Sequence, residues 1–426
     1  MFQELGPDAR GLLGVIAFFP QGVDENNLDW LFPTISDRAK IFNNFCVLSL
    51  AHRSSGFITM LAPLRDYLRP KEPALSPLLD ETKEHYLRRL SVDIDPGALG
   101  FEEARWIVSE DANVEHLLDV LTSIDASSVR VWDACAYFMR HLCWHKTRLV
   151  SLQPKIEGLP DDHSSKPECL FQLSRLFDSI WNHVECKRLL VYTLKLRRER
   201  GNHLLVAETL RFLSGTSERL GLHEEGIQQV KEALGIYEQL GGALGQAQSW
   251  QQLAWLLYGS GQFDAAEAAA LRAINLSGED GQYLASECHR ILGKVYDSKG
   301  DTGKAVDHFE TALGIATTFN WHGMSFWIRH SLAQLFSDRS MFDDARAHLE
   351  RAKSYAIDTS NLYLLGRAME LQAKILYGQR KFEEAKSEVL GAMDFYEKVG
   401  AVEVMEDCRA ALRDIEEAMN GPSVSH

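Results

Sequence analysis

The sequence predicts a mainly α-helical protein: an N-terminal domain of short helices with one small β-hairpin, a helical bridge, and a superhelix of stacked helix pairs. Three observations predict this fold. A pattern of small and bulky residues recurs every 39 or 40 residues through the second half of the chain. Only 12 of 426 residues are proline, which favours long helices. Before residue 69, helical and β-prone runs alternate over short distances. The predicted domains are therefore 1–72, 73–150 and 151–426.

Six repeated segments define the superhelix. Each has a first small residue, at Ser174, Ser214, Ala254, Gly293, Ala333 or Ala373. Each then has a turn position, at Trp181, Gly221, Gly261, Gly300, Ser340 or Arg380. A second small residue follows, at Cys186, Gly226, Ala266, Ala305, Ala345 or Ala385. Small residues on two helices let their backbones approach closely, and glycine permits positive φ in the turn between them. One such pair cannot bury both its faces, so the pairs are expected to stack.

The segment LGKVYDSKGDTGKAVDHFETAL carries the pattern at nearly every position. It resembles the tetratricopeptide repeat, and the resemblance covers roughly residues 167–400. The resemblance implies a right-handed α-superhelix of about six helix pairs. The usual period is about 34 residues, so the longer period here implies roughly one to two extra helical turns per repeat. A helix over about 401–419 is expected to cap the last pair.

The N-terminal domain has a different sequence pattern, without the repeat. Helices are expected over about 7–17, from Asn26, and over about 37–46, and two β-prone runs follow, joined by His52–Gly56. Three helices and a hairpin form a winged-helix pattern, and a further helix begins near Pro63. Residues 101–146 look helical, whereas 69–78 and 154–167 are typical of connections.

The segments ARGLLGVIAFFPQGVDENNLDWLFP and GFITMLAPLRDYL resemble the winged-helix module of signal-transduction (STAND) NTPases. In that family a NACHT or NB-ARC ATPase core precedes the module and a repeat sensor follows it. The domain order resembles the C-terminal part of the fungal members with tetratricopeptide repeats. The sequence contains no GxxxxGK[ST] phosphate loop, so we expect no ATP hydrolysis. The residues that match the family's Met-His-Asp are Met60, Leu61 and Ala62. The chain is expected to be either a fragment or a relative that lacks the ATPase core.

Composition excludes several function classes. The 60 acidic and 45 basic residues give a net charge of −15, which argues against non-specific nucleic-acid binding and against docking on an anionic membrane. The apolar run 11–19 has no basic flank and is too short to span a bilayer. Seven scattered cysteines favour a reducing, cytoplasmic location.

Neither a metal site nor a catalytic site is expected. The segment that holds Cys135, His141, Cys143 and His145 invites a metal interpretation, but its spacing places no four-ligand set on one helix. No nucleophile–base arrangement can be assigned, so we expect no enzymatic activity and no cofactor.

The functional hypothesis concerns the concave side of the superhelix, where a ligand is expected to bind. In tetratricopeptide repeats the first helix of each pair lines that side, and ligand contacts cluster three positions before and one position after the first small residue. The candidate groove residues, with one nearby aromatic residue, are Arg175, Arg211, Gln251, Trp255, Arg290, Lys294, Trp327, His330 and Lys374. They predict an electropositive stripe that binds an acidic peptide or another anionic ligand. Four flanking acids, Glu168, Glu208, Glu287 and Asp297, provide the opposing prediction, in which the stripe is neutralised.

The sequence thus favours a non-catalytic interaction or sensor module. Its partner would be a protein or an acidic peptide, and in a full-length relative also the ATPase core. Two alternatives stay open at this point: a DNA-linked regulator that acts through the winged helix, and a stand-alone repeat adaptor.

Overall fold

The computed structural model describes residues 5–68, 77–90, 106, 109–142, 152–278, 281–359, 361–399, 401 and 404–420. The chain divides into two compact units, residues 1–176 and residues 177–426. The architecture is mainly α, with one small sheet near the N-terminus and a tandem superhelix of tetratricopeptide type in the second unit. The predicted fold class is therefore confirmed.

The first unit begins with short helices around a small sheet. The helices are α1 (Pro7–Phe18), a 3₁₀ turn (Glu25–Asn27) that leads into α2 (Leu28–Leu31), α3 (Arg38–Val47) and α4 (Ala62–Leu68). The strands are β1 (Val23–Asp24), β2 (His52–Ser54) and β3 (Phe57–Thr59), which pair antiparallel in the order β1-β3-β2. The predicted hairpin is present, but β2 lies inside the His52–Gly56 segment that was predicted to be the connection. The turn is shorter than predicted, because Ser55 and Gly56 both adopt positive φ and reverse the chain within two residues.

Strand β1 was not predicted, because a two-residue strand leaves no alternating pattern. It pairs Val23 with Ile58. The chain enters it through Gly22, whose φ is +81° and where any Cβ would overlap the carbonyl oxygen of Ile58. Glycine is therefore required at this position for the third strand to form.

The rest of the first unit is helical. Its helices are α5 (Pro77–Arg89), α6 (Asp111–Ile124), α7 (Val129–Leu142), α8 (Gln153–Glu157) and most of α9 (Lys166–Ser179). The predicted connection at 69–78 lies mainly outside the described residues, as does most of the predicted helix at 101–110. The predicted connection at 154–167 is ordered, since buried Lys166 donates hydrogen bonds to the carbonyl oxygens of Glu157 (3.1 Å) and Leu159 (2.5 Å).

A buried carboxylate links several of these elements. Glu110 is fully buried and accepts hydrogen bonds from Asn27 Nδ2 (2.7 Å), Tyr86 Oη (2.9 Å) and Asn113 Nδ2 (2.7 Å). Burial raises the pKa of Glu110, although the three hydrogen bonds oppose the rise. Asn113 Nδ2 also donates to the carbonyl oxygen of Gly22 (2.9 Å). The short helices and the helical bridge therefore share one polar network.

The second unit consists of helix pairs. After the end of α9 come α10 (His183–Glu199), α11 (His203–Arg219), α12 (His223–Leu240), α13 (Ala243–Gly259), α14 (Phe263–Ser277), α15 (Gln282–Ser298), α16 (Thr302–Thr318), α17 (His322–Asp338), α18 (Phe342–Asp358), α19 (Leu362–Gly378), α20 (Phe382–Val399) and α21 (Met405–Asn420). The odd-numbered helices from α9 to α19 are the first helices of the six predicted pairs. Helix α21 follows them where the capping helix was predicted.

The small residues lie where the helices cross. All the non-glycine small residues of the pattern are buried. At two glycine positions a larger residue would not fit: a Cβ on Gly293 would lie 2.7 Å from the Phe309 ring, and one on Gly226 would lie 2.6 Å from Leu256. The predicted close approach of the paired helices is therefore present.

All six predicted turn positions adopt positive φ. The angles are +62° at Trp181, +71° at Gly221, +75° at Gly261, +82° at Gly300, +60° at Ser340 and +61° at Arg380. Three of these residues are not glycine and carry the cost of the left-handed conformation, about 1–2 kcal/mol each. The turn geometry is therefore imposed by the repeat rather than by the residue at the turn.

The turn at Trp181 makes a distant contact. Its indole stacks on the ring of Tyr363, with centroids 3.6 Å apart and planes at 18°. Tyr363 lies in the first turn of α19, five pairs further along the chain. The first and last pairs of the superhelix are therefore in contact, and this stack offsets the strain of a bulky residue at positive φ.

We expect Glu110→Ala to lower the free energy of unfolding by about 3 kcal/mol, because three buried donors lose their acceptor. Denaturant unfolding followed by circular dichroism measures the change. The matched control is Asp80→Ala, since the Asp80 side chain is 79% exposed and its ion pair with Lys83 is worth less than about 1 kcal/mol. Equal losses for the two variants would contradict the assigned role of the network.

We expect Ser340→Gly to raise the free energy of unfolding by about 1 kcal/mol, because it relieves positive φ at an exposed position. The reverse exchange, Gly300→Ser, should lower it by about 1 kcal/mol at the equivalent turn, where an added Cβ meets nothing within 4 Å. Paired denaturation curves test both variants. Changes of the same sign would show that side-chain contacts, not backbone strain, determine stability at these turns.

Candidate ligand-binding face of the repeats

The predicted groove residues lie on the first helices of the pairs. Their positions are Arg175 on α9, Arg211 on α11, Gln251 and Trp255 on α13, Arg290 and Lys294 on α15, Trp327 and His330 on α17, and Lys374 on α19. Arg175 belongs to the first unit and the others to the second. Lys374 is exposed and the rest are half-buried. Half-burial suits a ligand-binding face, because such side chains are positioned by neighbours and still reach solvent.

The structure brings Trp255, Arg290 and Lys294 together. The Arg290 guanidinium carbon lies 4.5 Å from the centroid of the Trp255 ring, which is cation–π geometry. Arg290 Nη2 also pairs with Glu287 Oε2 at 2.8 Å. One turn further along α15, Lys294 Nζ lies 6.0 Å from the centroid of the Tyr258 ring. These contacts join α13 to α15 along one face.

Lys294 lacks a carboxylate of its own. Burial, together with the positive charges of Arg290 and Arg367, lowers the pKa of Lys294 to about 8. The nearest acids are engaged elsewhere: Asp297 pairs with Arg339 at 2.7 Å, and Asp338 pairs with Lys374 at 2.6 Å. Among the described residues, no carboxylate oxygen lies within 4 Å of Lys294 Nζ.

His330 and Arg367 continue the face on α17 and α19. Neutral His330 can donate from Nε2 to the carbonyl oxygen of Arg367, 3.3 Å away. Burial and the charges of Arg367 and Lys294 lower the pKa of His330 to about 3, so the ring is uncharged at neutral pH. Arg367 Nη1 pairs with Glu370 Oε2 at 2.8 Å, and Tyr396 donates its hydroxyl proton to the same carboxylate.

A cavity of about 410 Å³ opens at the C-terminal end of the candidate face, beside α19. Its lining comes from four helices and consists of His330, Gln334, Arg367, Glu370, Leu371, Ala373, Lys374, Tyr377, Val389, Cys408, Ala411, Asp414 and Ile415. Its volume falls in the range of about 300–1,000 Å³ that is usual for small-ligand sites. Helix α21 forms one wall of this cavity as well as covering the last pair.

Two of the predicted residues, Arg211 and Trp327, also contact residues outside the predicted set. Arg211 is close enough to Tyr237 on α12 to lower its pKa, against the dominant effect of burial, which raises it. Trp327 packs against the core around α19 and α20, with its ring 5.2 Å from that of Phe326 and 5.9 Å from that of His330. Gln251 lies one turn before Trp255 on α13.

Of the four acids predicted to neutralise the stripe, only Glu287 pairs with a predicted groove residue. Glu208 pairs with Arg197 (3.3 Å), and Glu168 accepts a hydrogen bond from Gln172 (2.7 Å). The acids that pair on the face itself, Glu370 and Asp338, were not named as neutralising residues. The stripe is therefore partly neutralised, and Lys294 is one of its cations that has no carboxylate partner among the described residues.

Sequence reasoning also missed Arg367 and the α21 wall. A signal for Arg367 was available, because it lies six positions before the first small residue Ala373, as Trp327 does before Ala333. No signal could have found Cys408 or Asp414, since α21 carries no repeat motif.

The metal hypothesis gains no support from the described part of the chain, which holds no cluster of three or more potential ligands. The side chains of His141, Cys143 and His145 lie outside the described residues. Cys135 is buried, and burial raises the pKa of its thiol. No helix within the described ranges is both long and apolar enough to cross a membrane.

Comparisons with known proteins agree with this architecture. Residues 205–279 and residues 291–319 each match the tetratricopeptide repeat family. No curated protein matches the sequence.

Two solved structures are similar in fold. One is a Rap protein complexed with Competence and Sporulation Factor, with 13% identity over 78% of this chain and 98% of that chain and a TM-score of 0.53. The other is a Signal Transduction ATPase with Numerous Domains (STAND) protein from Pyrococcus horikoshii with a tetratricopeptide repeat sensor. That match has 13% identity over 97% of this chain and a TM-score of 0.58, and it covers 63% of the other protein's length. At these identities the likeness shows the fold alone.

We expect Lys294→Met to raise the free energy of unfolding by about 1 kcal/mol at pH 7, because the variant removes a charge that the folded protein holds at a cost. This value is smaller than the free energy that corresponds to the full pKa shift, since the side chain is only half-buried and solvent screens its charge. The unfolded chain keeps this proton up to a pH of about 10.4, whereas the folded protein releases it near pH 8. Between these values the unfolded state binds more protons, so the contribution of Lys294 to stability rises with pH. The advantage of the variant should therefore shrink from pH 8 to pH 10.

Thermal unfolding of both proteins at pH 7, 8, 9 and 10 measures this difference, and other titrating groups cancel in the comparison. A gain from Lys294→Met that is the same at pH 7 and pH 10 would contradict the assigned titration.

Proposed function

We propose that this protein is a non-catalytic interaction or sensor module that binds an acidic peptide, or an acidic segment of a protein, on the concave face of its repeats. The observation that carries the proposal is the convergence of Arg290, Lys294 and Arg367, with Lys294 half-buried and unpaired. A half-buried ammonium group next to two guanidinium groups is unfavourable until an anion joins it. A ligand carboxylate would accept a charge-assisted hydrogen bond and relieve the repulsion.

Trp255 supports a peptide ligand rather than a free ion. It is a half-buried aromatic side chain beside the cations, with Arg290 over its ring. Aromatic and arginine side chains of this kind often contribute most of the binding energy at protein interfaces. A peptide whose acidic side chain meets Lys294 could place a neighbouring residue against the indole.

The structural neighbours favour the same class of function. One neighbour is a Rap protein complexed with Competence and Sporulation Factor, and the other has a tetratricopeptide repeat sensor. By analogy, the repeats of this chain would form a sensor related to the regulatory half of STAND proteins. In a full-length relative, an ATPase core would be a second partner.

For the remaining architecture we propose a winged helix at 1–72, a bridge at 73–150 and the repeat solenoid at 151–426. Support for the winged helix comes from helices α1–α3 followed by the β2–β3 hairpin. Free, buried cysteines such as Cys169 and Cys186 are in keeping with a cytoplasmic location.

We expect Lys294→Glu to weaken the binding of an acidic peptide at least about tenfold, because it replaces the unpaired cation with a repulsive charge. A suitable probe is a fluorescein-labelled octapeptide of alternating glutamate and glycine with an amidated C-terminus, measured by fluorescence polarisation. Lys231→Glu, an exposed change of equal charge on the second helix α12, is the matched control. Unchanged affinity in Lys294→Glu, or equal losses in both variants, would overturn the proposal.

A further inference from the structure

We propose that the cavity between α19 and α21 binds the C-terminal residue of a peptide, with an apolar side chain inside the cavity and the terminal carboxylate against Arg367. This inference deepens the proposed function and rests on it, because it assigns one end of the peptide to one end of the concave face.

The cavity walls suit an apolar side chain. Leu371 and Ala373 come from α19, Val389 from α20, and Ala411 and Ile415 from α21. Val389 and Ile415 are almost fully buried, so they form the inner wall rather than the rim. The volume of about 410 Å³ leaves room for one side chain and its backbone.

The polar part of the cavity suits a carboxylate. Arg367 lines the same cavity, and its buried Nε–H has no acceptor among the described residues. Its Nη1 is paired with Glu370, and its Nε–H is a buried donor that a ligand on this side of the guanidinium would meet. A buried donor without an acceptor is costly, and a ligand carboxylate in the cavity would supply the missing acceptor.

Neighbouring charges favour an anion at that donor. Lys294 and Arg290 lie near enough to His330, another lining residue, for their charges to lower its pKa. Glu370, the acid inside the cavity, accepts hydrogen bonds from Arg367, Tyr396 and Cys408. Its charge is therefore largely compensated. Asp414 also lines the cavity but is exposed on α21.

The distance between the two features selects the peptide terminus as the source of the carboxylate. Arg367 and the apolar residues line a single small cavity, so the ligand's carboxylate and its apolar side chain must be only a few bonds apart. The α-carboxylate of a C-terminal leucine meets this condition. An acidic side chain on the preceding residue would lie farther from the apolar group.

The test uses a peptide whose only carboxylate is the C-terminal one, which separates this inference from the binding of acidic side chains. The probe is fluorescein-Gly-Ser-Gly-Ser-Gly-Leu with a free C-terminus. It is compared with its C-terminal amide and with a third peptide that ends in Asp-Leu-amide. We expect the free acid to bind, and both amides to bind about tenfold more weakly or worse, because they lose the charge-assisted hydrogen bond.

Two variants locate the site. Ala411→Phe fills the cavity and should abolish binding of the free acid. Arg367→Gln should weaken it about tenfold, to the level of the amide. Arg346→Gln removes an exposed arginine from the second helix α18 and should change nothing. Circular dichroism checks folding, and the acid–amide comparison stays decisive if a variant does not fold.

Each outcome separates this inference from the proposed function. If the free acid fails to bind up to millimolar concentration while the acidic amidated octapeptide binds, the inference is wrong and the proposed function stands. Equal binding of the free acid and of its C-terminal amide would also overturn the inference. Tight binding of the peptide that ends in Asp-Leu-amide would overturn it as well. If neither probe class binds, both are wrong.

Discussion

Close approach of two helix backbones at small residues is the constraint on which the repeat unit depends. It requires a small residue at the crossing on each helix and a turn that reverses the chain within two or three residues. The turn needs positive φ, and six consecutive pairs meet that need even where the residue is Trp181, Ser340 or Arg380. Because the crossing is short, side chains beyond it interdigitate, and each pair presents its remaining apolar surface to the next pair.

The same constraint produces the candidate binding face. A period of 39 or 40 residues returns each position of the first helix to the same side of the superhelix. Residues that are far apart in sequence, such as Trp255 and Arg290, therefore contact one another. The lowered pKa of Lys294 follows from this stacking, because the packed helices bury its side chain and bring the charges of Arg290 and Arg367 near it. The proposed binding face therefore depends on the repeat rather than on a loop.

Sequence reasoning was most successful where a pattern recurred. Glycine rules predicted the turns at Gly221, Gly261 and Gly300, and the repeat register predicted the other three turns and the buried small residues. A hairpin was also predicted, although β2 begins at His52, inside the expected connection. The same rules gave no account of β1, whose two residues carry no alternation. They also gave no account of the buried acceptor Glu110, whose three donors come from three separate segments. In the candidate site, the repeat register predicted the helix positions of Arg290, Lys294, His330 and Lys374, but not the partners that decide which charges are neutralised.

The sequence by itself determined that helices pair through small residues, that the pairs stack, and which residues lie at equivalent positions of the first helices. These features depend on spacing along one chain segment, and spacing is fully visible in a sequence. Only the tertiary structure decided that Asp338 and Glu370 are engaged, that Lys294 is left unpaired, and that α21 forms one wall of a cavity. Those facts depend on side-chain distances between different helices. Such distances follow from the angle and separation at which the helices pack, which no single segment specifies.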